Sequence, residues 1–278
     1  MGSKSSKNPI LNNTPVEKHI VLKGLYTVWV KREDLCSIDP WPKFSKIRGI
    51  VSHISAQQAG VIGVLDTFHS QGGWAVAAAC KYLGKDCINF WPRYKAMKKG
   101  ERRKNQRRSK ALGAKLVAFQ AGRSAILYHR AKKYMADLKS SYMMPNALKL
   151  PETMRETAYE VHVTDMAKFD NIVIPISSGT VAAGVLQGLV KKKHYPRIFI
   201  HLGYTRSKKA VRAYLRQNAP GFPQKRIKII DEGYAYKDQA RGSMVPPFPC
   251  NPYYDLKAWQ WLLRARPKGR TLFWNIGA

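Results

Sequence analysis

Ile172-Val173-Ile174-Pro175-Ile176 runs directly into Ser177-Ser178-Gly179-Thr180, and Val181-Ala182-Ala183-Gly184 follows without a break. An apolar run, a loop of small hydroxyl residues and a second small apolar segment read as a buried strand that turns at once into a helix. The first N–H groups of such a helix have no partners inside it, and the positive end of its dipole points into the loop, so the loop is suited to bind phosphate. Small residues let the anion approach, and the hydroxyls add donors. A helix merely capped by Ser178 or Thr180 accounts for the same residue types.

The same grammar extends outward in both directions. Residues 60–68 read as a strand, 72–83 as an Ala-rich helix, 87–91 as a strand, 95–112 as a very basic helix, 115–119 as a strand and 124–138 as a helix. Residues 140–151 hold two prolines and no periodicity, which marks a crossover between lobes. A helix over 152–164 then leads to the central strand. Beyond it come helix 181–190, strand 197–202, helix 207–217, strand 226–230, helix 255–263 and strand 271–274. Strands alternating with helices predict an α/β protein whose open, mostly parallel twisted sheets are flanked by helices. The 278 residues suffice for two lobes. We assign residues 1–48 and 150–278 to a large lobe and 49–149 to a small one that carries the basic helix 95–112.

Charge dominates the composition: 49 Lys and Arg against 17 Asp and Glu give a net +32. That exceeds what solubility asks for and points to a polyanionic partner, a generally basic proteome being the bland alternative. Between Arg93 and Lys115 lie eleven basic residues and one acid, Glu101. A helix so charged either tracks phosphates or is a solvated face weakened by its own repulsion. Arg93, Lys95, Lys98, Lys99, Arg102, Arg103, Arg107 and Arg108 are the candidate nucleic-acid contacts. Further basic groups lie at 191–193, 206–209 and 264–270, the last near Trp259 and Trp261, which suit base contact or the core equally. Cys36, Cys80, Cys87 and Cys250 form no CxxC pair, so neither a zinc site nor a disulfide framework is expected, and Cys80 reads as core. No apolar run approaches the roughly 20 residues of a membrane span. The start, Met1-Gly2-Ser3-Lys4, fits both a myristoylation pattern and a polar leader, and no export signal follows it, so a cytoplasmic location is expected.

Several other stretches stand in a telling order: Val28-Trp29-Val30-Lys31-Arg32-Glu33-Asp34-Leu35, Phe44-Ser45-Lys46-Ile47-Arg48, His69-Ser70-Gln71-Gly72, Gly233-Tyr234-Ala235-Tyr236, Asn251-Pro252-Tyr253-Tyr254-Asp255 and Phe273-Trp274-Asn275-Ile276-Gly277. Together with residues 172–184 they resemble the motifs of fold-type-II pyridoxal-phosphate enzymes, the tryptophan-synthase-β-like superfamily, and most of all its aminocyclopropane-carboxylate-deaminase and D-cysteine-desulfhydrase branch. The resemblance covers nearly the whole chain, although no motif is perfect. It implies that Lys46, in place of the G-N-K-x-R lysine, links to the cofactor aldehyde. Ser177, Ser178, Gly179 and Thr180 would hold the cofactor phosphate, Gln71 its 3-oxygen, Ser70 the substrate carboxylate and Asp255 the ring nitrogen. Tyr234 and Tyr254 become candidate acid/base or ring-packing residues. Two departures are noted: Lys43 and Phe44 replace the glycines usual before the lysine, and Gly72 replaces a histidine, which opens room for a larger substrate.

Pyridoxal phosphate needs a free α-amino group, and an ordinary base offers no amino-acid skeleton, whereas a modified one does. This basic chain is similar to the pyridoxal-phosphate enzymes of bacteriophage thymidine-hypermodification systems. That likeness implies a carboxy-lyase acting on an amino acid attached to thymidine in DNA, leaving an aminoalkyl base. It implies DNA carrying that base as partner, a homodimer as in many relatives, and the host cytoplasm as location. A lyase or deaminase acting on a small free amino acid is the alternative, and a cofactorless protein that uses only its basic surface is the third.

Overall fold

The computed structural model describes residues 13–38, 45–67, 69–95 and 103–277. One sheet contains β1 (Val16–Val21), β2 (Tyr26–Arg32), β7 (Asn171–Ile176), β8 (Arg197–Leu202), β9 (Ile227–Ile230) and β10 (Thr271–Asn275), in the order β1-β2-β10-β7-β8-β9. Only β1 runs antiparallel to its neighbour. The other sheet contains β3 (Val61–Leu65), β4 (Asp86–Arg93), β5 (Lys115–Gln120) and β6 (Ser141–Met143), all parallel, in the order β5-β4-β3-β6. The helices are α1 (Ile47–Ser55), α2 (Gly72–Tyr82), α3 (Lys104–Ala111), α4 (Ser124–Ala136), α5 (Pro151–Val163), α6 (Thr180–Lys191), α7 (Lys208–Asn218) and α8 (Asp255–Ala265). This is the mostly parallel α/β architecture that the alternating pattern predicts.

β7 is buried along its whole length because both of its faces are covered. Ile172, Ile174 and Ile176 pack with Val181, Val185 and Leu186 of α6, while Val173 joins Trp259 and Leu262 of α8 and Phe273 of β10. One strand thus feeds two cores. Cys80 is core, as its apolar surroundings suggest.

The sequence reading needs three corrections. The basic helix expected over 95–112 starts only at Lys104 in the described residues, after β4 has continued to Arg93. Its buried face is polar, Gln106 and Ser109, so no apolar stripe marked its start. The stretch read as a plain crossover contains β6, whose three residues are too few to show a period. β1 lies ahead of the first element read from the sequence.

The Lys31-Arg32-Glu33-Asp34 run is a packing device at the end of β2. Lys31 Nζ lies 2.8 Å from Glu160 of α5, and Arg48 of α1 lies 2.5 Å from Glu33 and 3.6 Å from Glu160. All four side chains are buried. Thr14 Oγ1 donates to Glu33 at 2.5 Å, and the Asn13 N–H donates to Glu160 at 2.7 Å. Burial pushes the Glu160 carboxyl up, but Arg48 and Lys31 outweigh it and hold it below its ordinary value.

Removing one member of a buried charge cluster leaves the rest uncompensated. Glu160→Gln is expected to lower unfolding free energy by about 3–5 kcal/mol in urea melts. Glu17→Gln, which breaks the partly exposed pair with Arg32, is expected to cost about 1 kcal/mol or less.

Candidate active site

Four helix N-termini converge on one cavity of about 480 Å³. Lys46 immediately precedes α1, Gln71 precedes α2, Ser177 to Gly179 precede α6, and Asp255 opens α8, and all of them line it. The volume lies within the range of small-molecule and cofactor sites.

The loop after β7 turns at Gly179, whose φ of +87° favours glycine, and a Cβ there would press on the Tyr214 ring at 3.2 Å. Lys46 Nζ donates to Ser178 Oγ at 2.8 Å, and Ser178 Oγ lies 3.0 Å from Thr180 Oγ1. Arg206 donates to the Ser177 carbonyl. Lys149 also lines the cavity, its ammonium 4.8 Å from the Tyr214 ring centre. Hydroxyls, a helix N-terminus and three cations make a cradle for a phosphate dianion. Burial, aided by Lys149, lowers the Lys46 ammonium to about 8, so its amine is available as a nucleophile near neutral pH.

Asp255 is buried, and its Oδ1 accepts the Ile276 N–H at 2.6 Å. Among the described residues no cation pairs with it, and burial raises its carboxyl to about 8. A buried carboxyl beside a cavity, without a cation of its own, suits a protonated ring nitrogen. Together the phosphate cradle, the amine and this carboxyl fit the three polar ends of pyridoxal phosphate.

Ser70 and Gln71 line the same cavity, with Ser70 Oγ accepting the Gly72 N–H at 2.9 Å as a capping residue would. The hydroxyl hydrogen stays available. Tyr254 lines the cavity, packed so closely on Gly203 that a Cβ there would come within 2.4 Å of its ring. Tyr234 does not line it. Its ring lies beneath Lys257 Nζ at 4.4 Å, and its carbonyl accepts the Thr205 N–H at 2.7 Å. The turn at Ala235–Asp238 brings Tyr236 to the cavity instead.

Sequence reasoning also missed Asp66, Lys149 and Arg206 as cavity residues. Asp66 follows β3, accepts from Gln106 at 2.9 Å and from the Thr67 N–H at 2.8 Å, and is raised by burial to about 6. Its one legible signal was a carboxylate at the end of an apolar strand. Of the nucleic-acid candidates, Lys95, Arg103 and Arg107 are exposed and Arg93 is half-buried. Arg108 packs its guanidinium on Trp74 at 4.2 Å. Lys98, Lys99 and Arg102, like Lys43 and Phe44, lie outside the described residues.

Residues 8–227 match the family described as pyridoxal-phosphate dependent enzyme. The chain belongs to this family. It is 49% identical, over 96% of its own length and 99% of the relative's, to the glycyl-dTMP PLP-dependent decarboxylase of Pseudomonas phage M6. Among solved structures it resembles an ACC deaminase homologue, with TM-score 0.78 and 20% identity over 98% of this chain and 92% of the other. It also resembles a hydrogen sulfide-producing enzyme from Fusobacterium nucleatum, with TM-score 0.66 and 14% identity over 100% and 98% of the two chains. A fungal L-serine ammonia-lyase from Rhizomucor miehei has TM-score 0.65 and 12% identity over 97% and 95%. These three likenesses concern the fold, which is that of fold type II. Pyridoxal phosphate is therefore the cofactor of this fold-type-II enzyme.

Two pH effects follow from the buried groups. With Lys46 near 8, its reaction with the cofactor aldehyde should accelerate about tenfold per pH unit up to about pH 8 and then level off, followed by absorbance. An ordinary lysine would keep accelerating to about pH 10. Asp255 has a folded value above its unfolded one, so its stabilising contribution is whole below about pH 4 and is lost as pH rises through about 8. Asp255→Asn should therefore raise the melting temperature of the cofactor-free protein more at pH 8 than at pH 5, by roughly 3 °C for each kcal/mol relieved.

Proposed function

We propose that this enzyme is a decarboxylase acting on an amino acid attached to thymidine in DNA, a glycyl adduct by its likeness to the phage M6 enzyme, and that it leaves an aminoalkyl base. The observation that carries this reading is the 49% identity to a glycyl-dTMP decarboxylase along both whole chains. The cavity and the charge agree with it. Lys46, the hydroxyl cradle and Asp255 supply the cofactor site, while the net charge of +32 suits a polyanionic substrate better than a free amino acid.

Bound in this cavity, pyridoxal phosphate supplies an electron sink for the pair left on the α carbon when the carboxylate departs as carbon dioxide. The residues do the rest. Ser177, Ser178, Gly179 and Thr180 hold the phosphate, with Arg206 bracing the loop through the Ser177 carbonyl. Asp255 would hold the proton on the ring nitrogen, and Gln71, on the same cavity wall as Ser70, would hold the 3-oxygen. Ser70 would orient the carboxylate that leaves, and Tyr236 and Tyr254 line the same cavity. Lys46 would bind the cofactor aldehyde and, as an ammonium, would deliver a proton to the α carbon that loses carbon dioxide. Atoms balance: one carboxylate leaves as carbon dioxide, and one proton takes its place.

The DNA reaches the cavity past α3. Asn105 Nδ2 of that helix donates to the Ser70 carbonyl at 2.7 Å, so the exposed Arg103 and Arg107 lie on the element that borders the substrate loop.

Mass spectrometry of nucleosides from DNA bearing the amino-acid-modified thymidine is the test. Wild-type enzyme with pyridoxal phosphate should remove carbon dioxide from the modified nucleoside, and Lys46→Ala should be slower by at least about 10²–10⁴-fold from lost proton transfer alone. An unchanged nucleoside together with turnover of free amino acids would overturn the reading.

A further inference from the structure

A second concavity, of about 420 Å³, lies at the far end of α8 from the catalytic cavity. Asp255 opens α8 at the cavity, whereas Trp261 and Ala265, near the helix end, line this groove. Trp261 and Ala265 lie six and ten residues after Asp255, about 9 to 15 Å along the axis of α8.

The strand order explains why the groove exists. α8 covers the middle of the large sheet, where Ala258, Trp259, Leu262 and Leu263 pack on Val28, Val30, Val173 and Phe273. Toward the sheet edge it reaches only β8, where the Trp261 ring meets Phe199 at 5.3 Å. β9 is the edge strand and has four residues. Lys228 is the register partner of Phe199, so it stands on the α8 side of the sheet, beyond the helix. The groove therefore has Phe199 in its floor, Trp261 on one wall and Lys225, Arg226 and Lys228 on the other.

Four of the lining residues, Arg197, Lys225, Arg226 and Lys228, are cations, and none is acidic. All four are exposed, and among the described residues none pairs with a carboxylate. Lys225, Arg226 and Lys228 come from the turn before β9 and from β9 itself, and the fold adds Arg197 from β8. Arg197 donates to the Lys268 carbonyl at 3.2 Å, and four cations without a carboxylate partner around a half-buried indole give the groove a positive potential that favours a polyanion. The same set matches a nucleic-acid strand, with phosphates on the cations and a base or sugar on the indole.

We propose that this groove binds the backbone of the DNA whose modified base occupies the catalytic cavity. The proposal rests on the reading of the substrate as DNA for the identity of the polyanion. The groove itself follows from the packing of α8 and β9. A separation of about 9 to 15 Å corresponds to about three to four nucleotides at 3.4 Å each, so a mononucleotide reaches the cavity alone and a longer strand reaches both sites.

The test compares the holoenzyme with its Lys225→Glu/Lys228→Glu variant on two substrates, the modified mononucleotide and a 20-nucleotide DNA carrying the same base. Expected is a KM for the DNA at least tenfold higher in the variant, with its dependence on log salt shallower by about two contacts' worth, while kcat and the mononucleotide KM stay within twofold. Trp261→Phe should weaken DNA binding without changing the salt slope. An unchanged KM for the DNA overturns the proposal. So does an equal loss on both substrates, which places the effect in the cavity. A change of oligomeric state in sedimentation also overturns it, because the groove would then be an interface between copies. If the wild type turns over neither substrate, the functional reading fails instead, and anisotropy of an unmodified 20-mer with the same variants then decides the groove alone.

Discussion

Two buried cations and two buried carboxylates hold Lys46 in place at the cavity. Lys31, Glu33, Arg48 and Glu160 come from β2, the turn after it, α1 and α5, and they close on one another within 2.5–3.6 Å. Each ion costs several kcal/mol to strip of water, and only near-complete pairing repays that cost. The arrangement is therefore intolerant of slippage: a shifted α1 would leave a bare charge in the core. Lys46 lies two residues before Arg48, so pinning the guanidinium pins the first turn of α1 and directs the amine at Ser178. Stability and chemistry share this constraint.

Inside the cavity one physical cause acts in two directions. Burial lowers the Lys46 ammonium and raises the carboxyls of Asp66 and Asp255, so each is biased toward its neutral form. Lys149 and Arg206, which line the same cavity, leave the cradle end of the site cationic. A ligand bringing a phosphate dianion and a ring nitrogen that binds a proton is complementary at both places, and a neutral ligand of the same size is not. Electrostatic selection of the cofactor is accordingly built from desolvation, with the helix N-termini adding fixed dipoles where the phosphate lies.

Local pattern made the scaffold legible, and long-range packing hid much of the site. The β7–α6 unit showed in the sequence because both its composition and its period are local, and the same holds for β8, whose bounds match the reading residue for residue. Lys46 and Asp255, both on the cavity wall, were singled out through resemblance in flanking motifs; nothing local says that Lys46 meets a serine 132 positions away. Asp66 and Lys149 carry no motif in their own stretches and Arg206 reads only as one of the basic group 206–209, so their place on one cavity emerges only from the folded chain. Tyr234 and Tyr236 are two positions apart in one motif, and which of them faces the cavity depends on a turn closed by Asp238 and on a lysine 21 residues further along. α3 was read too long because its charge looked continuous, whereas what defines it is a buried polar face contacting Asp66 and Asn89.

That buried polar face also couples charge to chemistry. Gln106 of α3 holds Asp66, Asn105 holds the Ser70 carbonyl, and both acceptors border the loop that carries Ser70 and Gln71. A phosphate chain lying along the exposed side of α3 therefore acts on the same rigid element that sets the position of the substrate loop. Binding energy gained from the non-reacting part of a long substrate becomes useful for catalysis when it orders groups at the reacting carbon. The cations of the cavity and those of the exposed surface thus have separate parts: Lys46, Lys149 and Arg206 surround the phosphate cradle, whereas Arg103 and Arg107 face outward from the element that holds the neighbouring loop.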